Sequence, residues 1–498
     1  MAKKIVIVGG GVGGLTAGVY ARKAGFDAVI VEKNKTPGGE LTGWEREGYT
    51  IDNCVHWMMG AKPGTALHEI WRETGALSEG VEVIGSAKMY TSELDGQRLT
   101  LWQDMEKTRR EMKALSPEDA DEIDALMEAV KIAQKVQIPA EKPAELMNPV
   151  DLIKMSLTMG GALKLFKMYA GTDTRDLANR FKHPLIRCLI SDFCPPDSLG
   201  QSFPMAYGNF VSGDGGVPRG GSRAMALRMA DRFLRLGGTL RTGVSAEKLI
   251  HENGRASALR LENGEKIAGD YFVMACDAEQ TFNRLLTPDF MPPALKEMYD
   301  HPNDYLIYGM FQTAFAVDCA QDALQGEWMT DCEELVLAPF ASNRLTVKNF
   351  AYEPSFAPAG KQILQTMQGL LACGYDYWLK LYGDKAAYEA KKAEWAEKTR
   401  LYLEARIPAY KGKLRLLDVW TPMTYRKWCN AHKGYNQAFV VSKRGMKNPY
   451  PPAKIPGLEN ALLAGQWIVP PGGLPGAATT GKFAIQRILK IEGKPLKI

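Results

Sequence analysis

Gly9, Gly11 and Gly14, followed by Glu32, are the residues of this chain whose types and spacing first point to chemistry. In the Gly9-x-Gly11-x-x-Gly14 spacing the first glycine permits a tight turn. The second lets a pyrophosphate approach the backbone, and the third lets a helix pack on a strand. An acid about 20 residues further on can accept both hydroxyls of an adenosine ribose. Val12 and Gly13 complete the turn, and Lys33 follows the acid. The elements that must hold these residues are written into the same stretch. Lys4-Ile5-Val6-Ile7-Val8 has the apolar, β-branched pattern of a buried parallel strand. An amphipathic helix is expected next, its N-terminus offering free N–H groups and a positive dipole end to phosphates. Val29-Ile30-Val31-Glu32 then reads as a second strand that ends on the acid. Strand, glycines, helix, strand and acid in this order specify a dinucleotide site. NAD and FAD are both open at this point.

A second candidate for chemistry is His56, in Asp52-Asn53-Cys54-Val55-His56-Trp57. It reads either as a proton donor or as a hydrogen-bonded structural histidine, whereas Asp52 reads as an anchor for backbone. No nucleophile elbow, HExxH or paired-carboxylate spacing stands out, and nothing suggests a metal. Gly213-Asp214-Gly215-Gly216 lacks the preceding strand and the spacing of a second nucleotide fingerprint.

The bulk properties exclude several classes. At 498 residues, two intertwined domains are expected. Hydrophobic content of 45% with 24% charge fits a globular enzyme, not a disordered or fibrous chain. The net charge of +5 is spread among interspersed acids and bases, so no nucleic-acid footprint stands out. Eight cysteines lie scattered without a CxxC pair, which implies a reducing, cytoplasmic compartment. The apolar run after Lys3-Lys4 is too short for a signal segment and is the first strand instead. Asn460 to Gly481 is uncharged and long enough to span a bilayer, but Pro470, Pro471 and Pro475 break it. A loop packed inside the protein is expected there.

Residues from about 88 to 210 read as mostly helical. Ser116-Pro117-Glu118-Asp119 has the form of a capped helix start, with the helix running to about Gln137. A second αβ segment begins near Gly215, with a helix from Ala224 to Leu236 and a short strand from Thr239 to Val244. Asn253-Gly254 and Asn263-Gly264 suit type I′ hairpin turns. Tyr271 to Ala275 reads as a buried strand, and Lys385 to about Arg406 as a charged helix stopped by Pro408. Leu146 to Tyr169 mixes leucines and Phe166 with Lys154, Lys164 and Lys167. Gly160-Gly161 interrupts it, so a core or cap helix pair is expected, with peripheral membrane contact as the rival.

The order of motifs resembles the phytoene desaturase, carotenoid isomerase and retinol saturase group of FAD-dependent oxidoreductases, within the amine-oxidase-like flavoprotein fold. Five stretches carry the resemblance across nearly the whole chain. They are the opening fingerprint with Glu32-Lys33, then Thr36-Pro37-Gly38-Gly39 with Gly48 to Asp52, then Val217 to Ser222 ahead of Val244. Ala357 to Lys361 with Thr421 to Thr424 is the fourth, and Leu463-Ala464-Gly465-Gln466-Trp467 with Pro471 to Ala478 is the fifth. The resemblance implies an α/β fold: a discontinuous Rossmann-type FAD-binding domain (1–75, 213–285 and 450–498) with an inserted α+β substrate or cap domain (76–212 and 286–449).

It also implies site residues. Gly38 and Gly39 would let the backbone approach the diphosphate or ribityl chain, and Val244 would clamp the adenine through main-chain groups. Gly465 and Gln466 would end a strand at the flavin. Gly476 and Ala477 would open a helix aimed at the flavin ring, where its dipole stabilises negative charge. Two departures stand out: Gln466 occupies a position where family members often carry an acid, and Cys54 one where glycine is common. With no cysteine in the C-terminal flavin segment, the FAD is expected to be non-covalent. NAD(P)H is one of several electron partners left open.

The implied activity is desaturation, saturation or isomerisation of a lipophilic, polyene- or isoprenoid-like substrate by flavin hydride transfer. Trp44, Trp57, Met58, Met59, Tyr305, Tyr308, Trp420, Tyr425, Trp428 and Trp467 read as tunnel wall or as core. Trp467 is expected to lie against the flavin. One alternative is a flavin amine oxidase, whose site would place a lysine near the flavin. The other is a non-catalytic lipid- or prenyl-binding protein on the same fold. The expected partner is a lipophilic small molecule rather than nucleic acid, and the oligomeric state is unknown.

Overall fold

Three distant stretches of sequence build one parallel sheet. The computed structural model describes residues 2–320, 324, 326–332, 335, 342–370, 372–445, 450–496 and 498. In its five-stranded sheet the order is Thr239–Thr242, Asp27–Glu32, Lys4–Val8, Tyr271–Met274 and Ala461–Leu463, all parallel. Val6, Val8 and Phe272 enter one core cluster, and Ile5, Ile7 and Val273 enter the other. Burial on both faces explains why these strands read as continuous apolar runs.

The helix after the glycines, Val12–Lys23, is not amphipathic as expected. Every residue from Val12 to Ala21 is buried, because the C-terminal helix Gly473–Ile491 and the helix Gly221–Arg235 pack around it. The approach is close. A Cβ on Gly481 would lie 2.3 Å from the Gly13 carbonyl oxygen, and one on Gly14 would lie 1.9 Å from that of Gly9.

A second sheet of eight strands is centred on Tyr305–Val317. Most of its pairs are antiparallel; Glu327–Asp331 runs parallel to Lys88–Leu94. Lys88–Leu94 and Gln97–Trp102 form a hairpin, so the helical stretch starts later than expected, at Met105. Its next helix ends at Ala133, and Ser116 does not cap it; its hydroxyl instead donates to Asp119 at 2.7 Å.

The Asn253-Gly254 turn has both residues at positive φ, as type I′ requires, whereas only Gly264 of the second pair does. Lys385–Arg406 is helical as read. Pro149–Met168 is one continuous helix, not a pair, started by a capping box between Asn148 and Asp151. Gly160 and Gly161 do not break it. Among its residues only Ala162 and Leu165 are buried. The uncharged C-terminal stretch is not a loop. It contains the strand Ala461–Leu463, a short 3-10 turn at Gln466–Ile468, and a helix that begins at Gly473. Among the described residues no helix is long and apolar enough to cross a membrane.

Candidate functional site

The carboxyl ends of the parallel strands open onto a cavity of about 1840 Å³. This is where an open α/β sheet binds ligands. Val8, Glu32 and Ala275 bring the strand ends to its wall, with Gly465 from beyond the last strand.

Gly9 donates to the Val31 carbonyl at 2.8 Å and Gly38 to the Gly10 carbonyl at 2.8 Å, so the glycine turn and the Gly38-Gly39 turn are laced together. Protein packing explains Gly14, but it does not explain Gly11. A Cβ there would come no nearer than 3.8 Å to any protein atom beyond its chain neighbours, and Gly11 lines the cavity. Gly11 caps the first helix, whose first residues Val12 and Gly13 line the cavity, and the free N–H groups of a helix N-terminus favour an anion. Glu32 is 6% exposed. It accepts from Gly10 N–H and Asn34 N–H, both at 2.8 Å. Burial raises its pKa and these two donors oppose the rise. Each oxygen keeps a lone pair for a ribose hydroxyl. A cradle with an open position at Gly11 and a fixed acid at the ribose position fits the ADP half of FAD.

Gly9, Gly11, Val12, Gly13, Glu32, Lys33, Gly38, Gly39, Gly465, Gln466 and Ala477 all line this one cavity, as do His56 and Trp467. Gly14, Val244 and Gly476 do not. Val244 uses its N–H on the Glu32 carbonyl at 3.3 Å, and its neighbours Ser245 and Ala246 face the cavity instead. Gly476 packs against Val469. The Lys33 ammonium is taken up by the Lys427 carbonyl at 2.7 Å and Asn430 Oδ1 at 2.8 Å.

Gln466 bridges two groups. Its Nε2 donates to Glu40 Oε2 at 3.4 Å, and its Oε1 accepts from Gly473 N–H at 3.1 Å, at the start of the C-terminal helix. Glu40 was missed in the sequence, although it directly follows Gly38-Gly39. Burial lifts its pKa well above the carboxylate range, the Asp277 charge adds to this, and Gln466 opposes it. Asp277 lies on the same wall and is pushed to about 7 by burial, against the donors His432 N–H, Glu279 N–H and the Tyr435 hydroxyl. Tyr435 meets Trp467 edge-on, with ring centroids 4.5 Å apart.

Beyond the nucleotide cradle the same cavity is lined by Trp57, Phe193, Tyr308, Met310, Met329 and Met367. Of the anticipated wall residues, Met58, Met59, Tyr425 and Trp428 also line it. Trp44 and Trp420 pack edge-to-face at 5.2 Å beside a separate cleft, and Tyr305 is core. His56 Nδ1 lies 3.4 Å from Glu327 Oε2 and 3.3 Å from Lys348 Nζ. Asp52 anchors backbone as read, accepting from Ser222 N–H at 2.7 Å, Ser222 Oγ at 2.5 Å and Cys54 N–H at 3.1 Å. Glu327 and Lys348 were not singled out in the sequence. Among the described residues no group of three or more His, Cys, Asp or Glu could hold a metal.

Residues 7–74 match the model of the NAD(P)-binding Rossmann-like domain family. The chain is 24% identical to a chloroplastic prolycopene isomerase of Daucus carota, over 97% of this chain and 79% of that protein. It is 22% identical to a neurosporene-forming phytoene desaturase of Rhodobacter capsulatus, over 97% of this chain and 94% of that one. A putrescine oxidase triple mutant has the same fold, with a TM-score of 0.61 at 14% identity, covering 98% of this chain and 99% of that one. The chain is thus similar along nearly its whole length to carotenoid isomerases and desaturases, and its fold is that of amine-oxidase-like flavoproteins.

Proposed function

We propose that this chain is an FAD-dependent oxidoreductase acting on C–C or C=C bonds of a lipophilic, polyene- or isoprenoid-like substrate. One observation carries the reading: the dinucleotide cradle and an apolar chamber rich in aromatic and methionine side chains are a single cavity. Bound FAD supplies hydride or electron transfer. Glu32 would hold the adenosine ribose, and the turns at Gly11 and Gly38-Gly39 the diphosphate. Gly465, Gln466, Trp467 and Ala477 would bound the flavin, held without a covalent link. The apolar wall suits a hydrocarbon substrate, and His56 would move a proton. The division into a discontinuous FAD-binding domain (1–75, 213–285, 450–498) and a substrate domain (76–212, 286–449) is part of the proposal.

The helix Pro149–Met168 supports a peripheral membrane contact. It exposes Ile153, Leu157 (80% exposed) and Leu163 beside Lys154, Lys164 and Lys167, and Phe166 reaches the cavity wall. Apolar side chains ringed by lysines suit an anionic bilayer. Flotation with anionic liposomes is expected, and Leu157→Glu should abolish it.

The amine oxidase reading has one observation in its favour, the buried Lys348 on the cavity wall. Its ammonium, however, is held by the Val55 and His56 carbonyls. Purified protein should show a flavin spectrum, release intact FAD on denaturation and yield a bound polyene or isoprenoid on extraction. A colourless protein that takes up no FAD would overturn the proposal. Hydrogen peroxide formed with amines and not with polyenes would favour the alternative.

A further inference from the structure

Glu327 and Lys348 lie directly opposite each other on antiparallel strands, so their side chains leave the same face of the sheet. Both reach one atom, His56 Nδ1, at 3.4 and 3.3 Å. Their demands on it conflict. Lys348 can only donate to Nδ1 while it is charged, and Glu327 as a carboxylate can only accept from it. A single tautomer of His56 therefore satisfies one partner at a time. Nε2 has no protein partner recorded among the described residues, and His56 lines the cavity. Lys348 is 4% exposed and fixed by the Val55 and His56 carbonyls at 3.4 and 3.3 Å.

We propose that Lys348, His56 and Glu327 form a two-tautomer proton relay, in which Lys348 selects the Nε2–H form of His56, Glu327 selects the Nδ1–H form, and switching between them moves one proton between substrate and Lys348. This rests on the reading that the cavity holds flavin and a polyene together.

In the saturating direction the Nε2–H bond breaks, its electron pair stays on Nε2, and a C–H bond forms at the substrate carbon. One Nζ–H bond of Lys348 breaks and the proton passes to the Nδ1 lone pair, leaving a neutral lysine. Nδ1–H then donates to Glu327. The ring ends neutral; once product leaves, a solvent proton binds Nε2 as the Nδ1 proton passes back to Lys348 Nζ, which restores the ammonium and the Nε2–H form. Desaturation runs the same transfers backwards, with Nε2 taking the proton of a C–H bond. The other half of either reaction, a hydride with its electron pair, belongs to the bound flavin.

The surroundings suit a lysine that changes charge. Burial lowers the Lys348 pKa, while Glu327, Asp52 and Cys54 pull it back up. Phe350 and Tyr352 present their rings to the ammonium, centroids 5.0 and 5.9 Å away. Asp52 is spoken for by Ser222 and Cys54 N–H. Burial would raise the Glu327 pKa, but the bond to His56 and the charges of His56 and Lys348 hold it below its usual value. Tyr90 is a further titratable group that feels the Glu327 charge.

Long-range ¹H–¹⁵N spectra of holoprotein labelled at its six histidines, assigned with His56→Gln, read the tautomer directly. Wild type is expected as the Nε2–H form at neutral pH, changing to Nδ1–H as pH rises and Lys348 loses its proton. Lys348→Met should give Nδ1–H throughout, Glu327→Gln should retain Nε2–H, and Lys348→Arg should restore the wild-type form. With polyene substrate, Lys348→Met should lower kcat about 10²-fold with KM unchanged. An identical His56 tautomer in wild type and Lys348→Met overturns the relay. If Lys348→Met does not fold, a wild-type tautomer that ignores pH overturns it equally. The spectra need no substrate, so a protein that switches tautomer yet turns over no polyene refutes the proposed function instead.

Discussion

Gly11→Ala separates a glycine kept for the ligand from one kept for the fold. Gly11 has φ −74° and ψ −176°, extended backbone open to any residue. The added methyl would meet nothing nearer than the Gly38 carbonyl oxygen at 3.8 Å and Gly39 Cα at 3.9 Å. The fold therefore loses nothing, and reduced freedom of the unfolded chain should add about 0.4–1 kcal/mol of stability. The methyl instead projects into the cavity where the diphosphate would approach. Losing two hydrogen bonds from helix N–H groups to a charged oxygen, at about 1.5–3 kcal/mol each, weakens FAD binding by about 3–6 kcal/mol. That is roughly a 10²- to 10⁴-fold rise in Kd. Gly14→Ala is the contrast. Its Cβ would lie 1.9 Å from the Gly9 carbonyl oxygen, so the cofactor-free protein itself should lose about 1–3 kcal/mol or more. Urea unfolding of the cofactor-free variants and FAD titration followed by quenching of flavin fluorescence give both quantities. FAD binding by Gly11→Ala within about threefold of wild type, less than 1 kcal/mol of difference, would refute the reasoning. So would a loss of cofactor-free stability equal to that of Gly14→Ala.

Arg344 pairs with Asp192, a side chain of 0% exposure, through Nε and Nη2, both at 2.7 Å. Arg344→Leu leaves that carboxylate buried and unpaired and should cost about 3–5 kcal/mol in urea unfolding, with much of it recovered by adding Asp192→Asn. Burial lowers the His432 pKa from 6.5 to about 4, so its contribution is complete above pH 6.5 and is lost as pH falls towards 4. Between pH 7 and 5 this one group should remove about 2 kcal/mol, and His432→Phe should flatten that part of the stability profile. Glu40 behaves oppositely. Its raised pKa means the folded state holds a proton the unfolded state releases, so stability falls as pH rises. Thermal melts of cofactor-free Glu40→Gln should match wild type in acid and exceed it in alkali.

The strand–turn–helix–strand unit at the N-terminus was legible because its parts are local. Strand, turn, helix and acid occupy Lys4 to Glu32, and each residue type there has a reason that neighbouring residues supply. Even there, sequence misjudged what surrounds the elements. The first helix was expected to expose a polar face, but the C-terminal helix arrives from some 450 positions away and buries it. Pro149–Met168 shows the reverse: its glycines suggested a break, yet an uninterrupted helix tolerates both, Gly160 with nothing near it and Gly161 against the Ile132 carbonyl.

The proposed relay lies furthest from what a linear reading could reach. His56 was visible as a histidine near the cofactor motifs, with donor and structural roles equally open. Its partners depend on the register that sets Glu327 opposite Lys348 and on the fold that brings both strands over residue 56. Neither residue carries a motif, and a lysine among Val347, Asn349 and Phe350 reads as an ordinary strand position. Shifting that pairing by one residue would send Lys348 to the other face and leave His56 with a single partner. The chemistry of the histidine is therefore a property of strand register. A variant that displaces the register while leaving His56, Glu327 and Lys348 in place should lose the tautomer switch as completely as Lys348→Met, and retention of the switch would sever register from proton transfer.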